Sequence, residues 1–308
     1  MSAAPAPFGP RLAEALRSRG PLCVGIDPAP ATLGRWGLPD DVEGLRRFCG
    51  IVVGALAGRT ALLKPQVAFF ERHGSAGLAV LEGLLADCRS AGQLVLADAK
   101  RGDIGSTAAG YADAWLDPAS PLAADALTVS PYLGYGSLAP VVETAARHGR
   151  GLFVLCLTSN PEGASVQHAR PADGSSPSVA AAVAAQAAAD NARLAADGSP
   201  GPVGLVVGAT VGEHLRATGV DLAAVRGHLL LPGLGAQGAT AADVARYLGD
   251  LGPLLVPSAS REVLHAGPDP TALRGQADRL AEDLARRLAP DGRPRPAAAA
   301  AGDDVGDP

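Results

Sequence analysis

Residues 93–107 read QLVLADAKRGDIGST. An apolar run ends in Asp98, Lys100 and Asp103, and a glycine and the pair Ser106-Thr107 follow at once. The apolar part has the composition of a fully buried strand, the habit of parallel sheets. Ser106 and Thr107 start a helix, since their hydroxyl oxygens can accept from the free N–H groups of a first turn. Strand, charged tip and helix make one βα unit. Its tip raises the question of why a buried strand should end in alternating charge.

The same alternation runs outward in both directions. Short apolar runs stand at LCVGI from 22, ALL from 61, QLVLA from 93, ALTV from 126, GLFVLCL from 151, GLVVG from 204, HLLL from 228 and LLVP from 254. Between and after them lie Ala-rich amphipathic stretches at 41–58, 75–91, 106–116, 137–148, 178–196, 210–217, 240–249 and 270–288. Eight strands alternating with helices predict a single parallel (β/α)8 TIM barrel, for which 308 residues is an ordinary length. An open doubly wound sheet is the competing topology. Thr210 to Glu213 fits a capping box at the sixth helix.

The barrel is assigned to residues 11–289, with a flexible start at 1–10 and a disordered, low-complexity tail at 290–308. Residues 160–177, NPEGASVQHARPADGSSP, are too polar for an element and too long for a routine loop, which suggests a lid. The net charge of −5 offers no basic surface for nucleic acid or an anionic membrane, so a small soluble ligand is expected. No signal-peptide pattern or membrane span is legible, and a cytoplasmic protein is expected. Cys23, Cys49, Cys88 and Cys156 stand isolated inside elements and read as buried reduced thiols.

In such a barrel the residue after each strand lies on one rim, the C-terminal face where active sites are built. Asp27, Lys64, Asp98 with Lys100, Ser130, Ser159, the segment PGLGAQG and Ser258 to Arg261 all occupy that place. Side chains two apart on a strand share a face, so Asp98 and Lys100 point together into the mouth. A Lys-Asp-Lys-Asp chain is nearly neutral and can stay ionised while partly desolvated; at an effective dielectric near 20 each contact is worth roughly 4 kcal/mol before desolvation. Thr107 could also reach the mouth.

Residues 232–238, PGLGAQG, contain a formal G-x-G-x-x-G, with Asp250 as a later acid. A dinucleotide fingerprint belongs to the first βα turn, whereas this segment follows the seventh strand, where barrels commonly bind phosphate through backbone N–H groups. Gln237 and Arg261 would add side-chain donors there, Arg261 as a fork. The six histidines show no metal-ligand spacing, and no G-x-S-x-G elbow is present.

With these residues in place the sequence resembles the orotidine 5'-phosphate decarboxylases, in particular their longer bacterial branch. Asp98-Ala-Lys100-Arg-Gly-Asp103-Ile matches the family's Asp-x-Lys-x-x-Asp signature. GIDP at 25–28, LKPQ at 63–66, SPYLG at 130–134, TSNPEG at 158–163 and PGLGAQG stand in the expected order. The resemblance implies a charged tetrad of Lys64, Asp98, Lys100 and Asp103. It assigns Asp27 to ribose, Ser159 to the pyrimidine, and Gln237 and Arg261 to the phosphate. It also implies a homodimer in which Asp103 serves the partner's site, and neither a metal nor an organic cofactor.

The implied reaction, loss of CO2 from orotidine 5'-phosphate to give UMP, leaves a carbanion in the plane of the ring, beyond the reach of its π system. Lys100 would stabilise that charge and donate the proton. Two alternatives stay open: a metal-assisted sugar-phosphate decarboxylase or aldolase on the same scaffold, and a catalytically silent nucleotide-binding protein.

Overall fold

The computed structural model describes residues 6–170, 177–195, 198–209, 212–234 and 240–288. Eight strands follow the eight apolar runs: β1 (Cys23–Ile26), β2 (Leu62–Pro65), β3 (Leu96–Arg101), β4 (Ala126–Val129), β5 (Gly151–Leu157), β6 (Gly201–Val207), β7 (Gly227–Pro232) and β8 (Leu255–Ala259). They form one parallel sheet in the order β2-β1-β8-β7-β6-β5-β4-β3. Its two ends meet through the bridges Leu63 to Val95 and Gln66 to Asp98, with Leu63 N donating to Leu94 O at 3.0 Å. The sheet therefore closes, and the fold is the (β/α)8 barrel rather than the open sheet.

Both faces of the strands are covered, which is why their sequences are almost continuously apolar. Outside lie the eight expected helices: Val42–Leu56, Gly74–Ser90, Gly105–Leu116, Ala139–Arg147, Val179–Leu194, Gly212–Thr218, Ala241–Leu248 and Pro270–Arg287. Short polar side chains start several of them. Asp41 accepts from Gly44 N at 2.9 Å, and Ser178 Oγ accepts from Ala181 N at 3.1 Å. A full capping box stands at Thr240 and Asp243. The box expected at Thr210 to Glu213 lies outside the described residues, as does the expected disordered tail.

The hydrophobic interior has two parts. An outer ring packs strands against helices, with Val24, Leu63, Leu127, Val154, Leu205 and Leu229 facing outward. An inner cluster fills the barrel with Leu62, Leu96, Phe153, Val206, Leu230 and Val256. The inner cluster includes Phe8, Leu12 and Leu16 from an N-terminal helix, Phe8–Arg19, that plugs the end of the barrel opposite the rim. This corrects the expectation of a flexible stretch over 1–10: Phe8–Pro10 are helical, and the Phe8 ring meets Phe153 edge-on with centroids 6.1 Å apart.

The segment after β5 also departs from expectation within its described part. Pro161–Gly163 form a 3-10 turn and Ala164–Gln167 a helical turn, held by Gln167, whose Oε1 accepts from Thr158 N at 2.9 Å. All four cysteines are buried and unpaired; burial pushes the Cys23 thiol up to about 11 and those of Cys88 and Cys156 to about 12. Among the described residues no helix is long and apolar enough to cross a membrane.

Candidate active site

At the C-terminal rim Asp98 is the hub. Its Oδ2 accepts from Lys64 Nζ at 3.0 Å and Gln66 Nε2 at 2.9 Å; its Oδ1 accepts from Lys100 Nζ at 2.6 Å and Thr128 Oγ1 at 2.9 Å. These partners come from β2 and its end, from β3 and from β4, so closure of β2 onto β3 is what assembles the group. The side chains of Asp98 and Lys64 are 8% and 9% exposed, whereas that of Lys100 is 45% exposed.

Burial by itself raises the Asp98 pKa, but the two ammonium groups outweigh it and hold the carboxyl well below the usual carboxylate range. For Lys64, burial disfavours the cation, and attraction by Asp98 and then Asp27 overcomes that and raises its pKa. The sequence contains 26 basic residues, and only Lys64 and Lys100 among them are lysines. The two differ from the arginines in chemistry, since an ammonium is a compact point charge on a flexible stem and a guanidinium a planar fork.

The expected juxtaposition of Asp98 and Lys100 is present, but regular alternation does not produce it. Lys100 stands in the left-handed region at φ 48°, and the register between β3 and β4 shifts between Ala97 and Arg101. An L-residue held there costs roughly 1–3 kcal/mol and persists only where its surroundings over-determine it. Here Lys100 N donates to Thr128 Oγ1 at 2.8 Å and Ser130 N to Arg101 O at 2.8 Å. Two residues beyond Lys100 the chain has to carry glycine, since a Cβ on Gly102 would stand 2.5 Å from Ser130 O.

The ion chain forms one wall of a cavity of about 370 Å³ in the barrel mouth. Asp27, Ser159 and Arg261 line it with Lys64, Asp98 and Lys100, so six of the nine expected site residues are brought together. Asp27 follows β1, Ser159 follows β5, and Arg261 opens the short helix Arg261–Leu264 after β8. Asp27 Oδ1 and Ser260 Oγ are buried at this cavity with no hydrogen-bond partner among the described residues, which marks them as groups built to meet a polar ligand.

Two expected residues do not line the cavity. Asp103 lies beyond the tip of β3, where its Oδ1 accepts from Ile104 N at 2.8 Å. Thr107 is exposed in the first turn of Gly105–Leu116, the buried side of which is taken by Ala108. Gln237 lies outside the described residues. Gln66 and Thr128 join the site in addition, whereas Ser260 belongs to the expected rim segment Ser258 to Arg261. Gln66 carried a usable signal, since it stands two positions beyond Lys64 and shares its face. Among the described residues no three His, Cys, Asp or Glu side chains are grouped as metal ligands.

Eight βα units with an ion chain, unmet polar atoms and an arginine gathered at the carboxyl ends of the strands define an enzyme of the (β/α)8-barrel class. Residues 20–275 match the model of the orotidine 5'-phosphate decarboxylase / HUMPS family, and the chain belongs to that family. It is 60% identical over 282 residues to an orotidine 5'-phosphate decarboxylase of Salinispora tropica, covering 91% of this chain and 98% of that one. The corresponding protein of Streptomyces coelicolor is 56% identical over 278 residues, covering 90% and 97%. A solved structure from Streptomyces avermitilis superposes with a TM-score of 0.87 at 55% identity, covering 93% of this chain and 97% of that one. OMP decarboxylase of Leishmania donovani superposes with a TM-score of 0.70 at 30% identity, covering 92% and 99%.

Proposed function

We propose that the chain converts orotidine 5'-phosphate to UMP and CO2 in pyrimidine nucleotide synthesis, in the cytoplasm, using its own side chains without a metal or organic cofactor. The observation that carries this reading is the Asp98 carboxylate clamped between two ammonium groups at the cavity wall, Lys64 nearly buried and Lys100 the more exposed. The bond between the ring carbon and its carboxylate breaks, CO2 leaves, and the electron pair stays on that carbon in the ring plane. Lys100 supplies a fixed positive charge beside it and then transfers an Nζ proton to it, to be re-protonated from solvent. Lys64 and Asp98 hold Lys100 in place without reorganisation. Asp98 also sets negative charge near the departing carboxylate.

Arg261 suits the 5'-phosphate as a forked donor, Asp27 and Ser260 suit the sugar hydroxyls, and Ser159 suits the pyrimidine edge. Binding energy at the phosphate, far from the reacting carbon, offsets the cost of bringing two carboxylates together. A metal-assisted sugar-phosphate reaction fits less well, because the Lys64 ammonium at 3.0 Å from Asp98 Oδ2 occupies the place of a dication.

The active species in this reading is a homodimer with shared sites, Asp103 completing the partner's tetrad. Two features support it. Asp103 stands outside its own cavity, and the loops after β3 and β4, in contact at Gly102 and Ser130, carry exposed Ile104, Tyr132 and Leu133. Exposed apolar side chains gathered on two adjoining loops suit an interface with a second copy of the chain.

The test is UMP formation from orotidine 5'-phosphate with EDTA present, for the wild type and Lys100→Ala. Turnover should survive EDTA and fall at least about 10²-fold in the variant, the least a lost general acid costs here. Absence of UMP in the wild type, or dependence on a dication, would remove the proposal.

A further inference from the structure

We propose that Arg101 is a positioning residue: its guanidinium, anchored outside the cavity, holds the end of β3 in the left-handed turn that aims Lys100 at Asp98. The kinetic consequence rests on the decarboxylase reading; the geometry does not. Lys100 keeps φ at 48° only because its neighbours impose it. Thr128 is one of them, but it also bonds Asp98 and belongs to the site itself.

The side chain of Arg101 contributes from outside. It forms an ion pair with Glu71 on the helix Ala68–Glu71, which precedes β3 in the chain. Its guanidinium carbon lies 5.6 Å from the ring centre of Tyr111 and 5.8 Å from that of Trp115, both on the helix that follows β3. It also donates from a terminal nitrogen to Ala99 O at 3.3 Å, back across Lys100. One side chain thus ties the helices before and after β3 to the backbone on both sides of Lys100. Its Nε is buried with no acceptor among the described residues, a cost in hydrogen bonding that an apolar filler would avoid. Only a planar guanidinium can stack on two aromatic rings and pair with a carboxylate at once, so lysine is not an equivalent.

Because Lys64 and Lys100 are the only lysines, protein labelled with nitrogen-15 lysine gives two side-chain ammonium signals, both from the site. Arg101→Met keeps the bulk of the stem and removes the fork. The Lys100 signal should shift and broaden through faster proton exchange while the Lys64 signal stays. In the same variant kcat should fall about 10²-fold, the loss that a misplacement near 1 Å brings. The Kd for UMP should hold, because contacts made equally to ground and transition states are untouched. Arg101→Lys should retain part of kcat.

An unchanged Lys100 signal overturns the proposal, and so does an unchanged kcat in an active enzyme. Movement of both signals together with lower Tm and weaker UMP binding also overturns it, since that is general loosening. If Arg101→Met fails to fold, Glu71→Gln removes one anchor alone and should move the Lys100 signal in the same direction; no movement refutes the idea. Should the wild type not turn over orotidine 5'-phosphate, the decarboxylase reading falls and the ammonium spectrum alone decides the role of Arg101.

Discussion

Asp98 accepts from four side chains, Lys64, Gln66, Lys100 and Thr128, which uses the full capacity of a carboxylate. Its pKa in the folded state is depressed, so its contribution to stability is present above the unfolded value of about 3.9 and is lost as pH falls from there towards the folded value. Asp98→Asn leaves the Lys64 ammonium buried beside a neutral amide and should cost about 3–5 kcal/mol at neutral pH. The gap to wild type should narrow progressively as pH falls below about 4, because the unfolded wild-type chain then takes up a proton that the folded carboxylate still excludes. Urea denaturation of both proteins across the acid range measures this, and a gap that does not change with pH would contradict it. At the far side of the cavity Arg261→Ala should lower kcat/KM for orotidine 5'-phosphate by about 2–5 kcal/mol. Orotidine, lacking the phosphate, should be handled almost as before, and comparison of the two substrates is the check.

Among the elements, the helix Phe8–Arg19 does a task that the strands cannot do for themselves. A barrel filled by layers of side chains still has an open lower end, and Phe8 closes it from outside the sheet. The ring packs where Gly151 leaves room, since a Cβ there would stand 2.1 Å from Phe8 Cδ1. Gly9 O and His228 Nε2, 3.0 Å apart, tie the helix to β7, and burial pushes the His228 pKa down. Phe8→Ala should cost about 3–5 kcal/mol, seen as a lower urea midpoint with an unchanged slope. Activity per folded molecule should be retained, because Phe8 lies at the end of the barrel opposite Lys100. A loss of kcat without a loss of stability would show that the two ends are coupled.

For the whole molecule the proposed dimer bears on Asp103, which stands outside the cavity of its own barrel. Isologous two-fold pairing would give it a site to serve, because each subunit would lend the same loop to the other. Inactive Lys100→Ala and inactive Asp103→Ala proteins, dissociated, mixed in equal amounts and reassociated, test it. In a mixed dimer with shared sites one site carries both lesions and the other none. About half the dimers would each regain one intact site, roughly a quarter of wild-type activity overall. Activity that stays at the level of the separate variants, with subunit exchange shown independently, would place Asp103 in its own subunit's service.

The order of elements was legible in the chain because it rests on local chemistry. Runs such as LCVGI and GLFVLCL, short and set between helical stretches, read as strands buried on both faces, and the charged residues at their ends then fall on one rim. Asp27, Lys64, Asp98, Lys100, Ser159 and Arg261 could be assigned to one mouth on that ground. Phe8 could not be placed, because a lone phenylalanine between a Pro- and Ala-rich start and Gly9-Pro10 reads as a loose end until there is an open barrel for it to fill. Nor could Gln66 and Thr128 be read as partners of Asp98, since they meet it only when β2 closes onto β3 and β4 lies alongside. Lys100 shows the division most clearly. Its charge and its place at a strand tip follow from sequence alone, while its left-handed backbone is imposed by contacts with Thr128, Ser130 and the helices around Arg101 that exist only in the closed fold. Local periodicity determines which face a residue takes; conformational strain is set by long-range neighbours that no local pattern encodes.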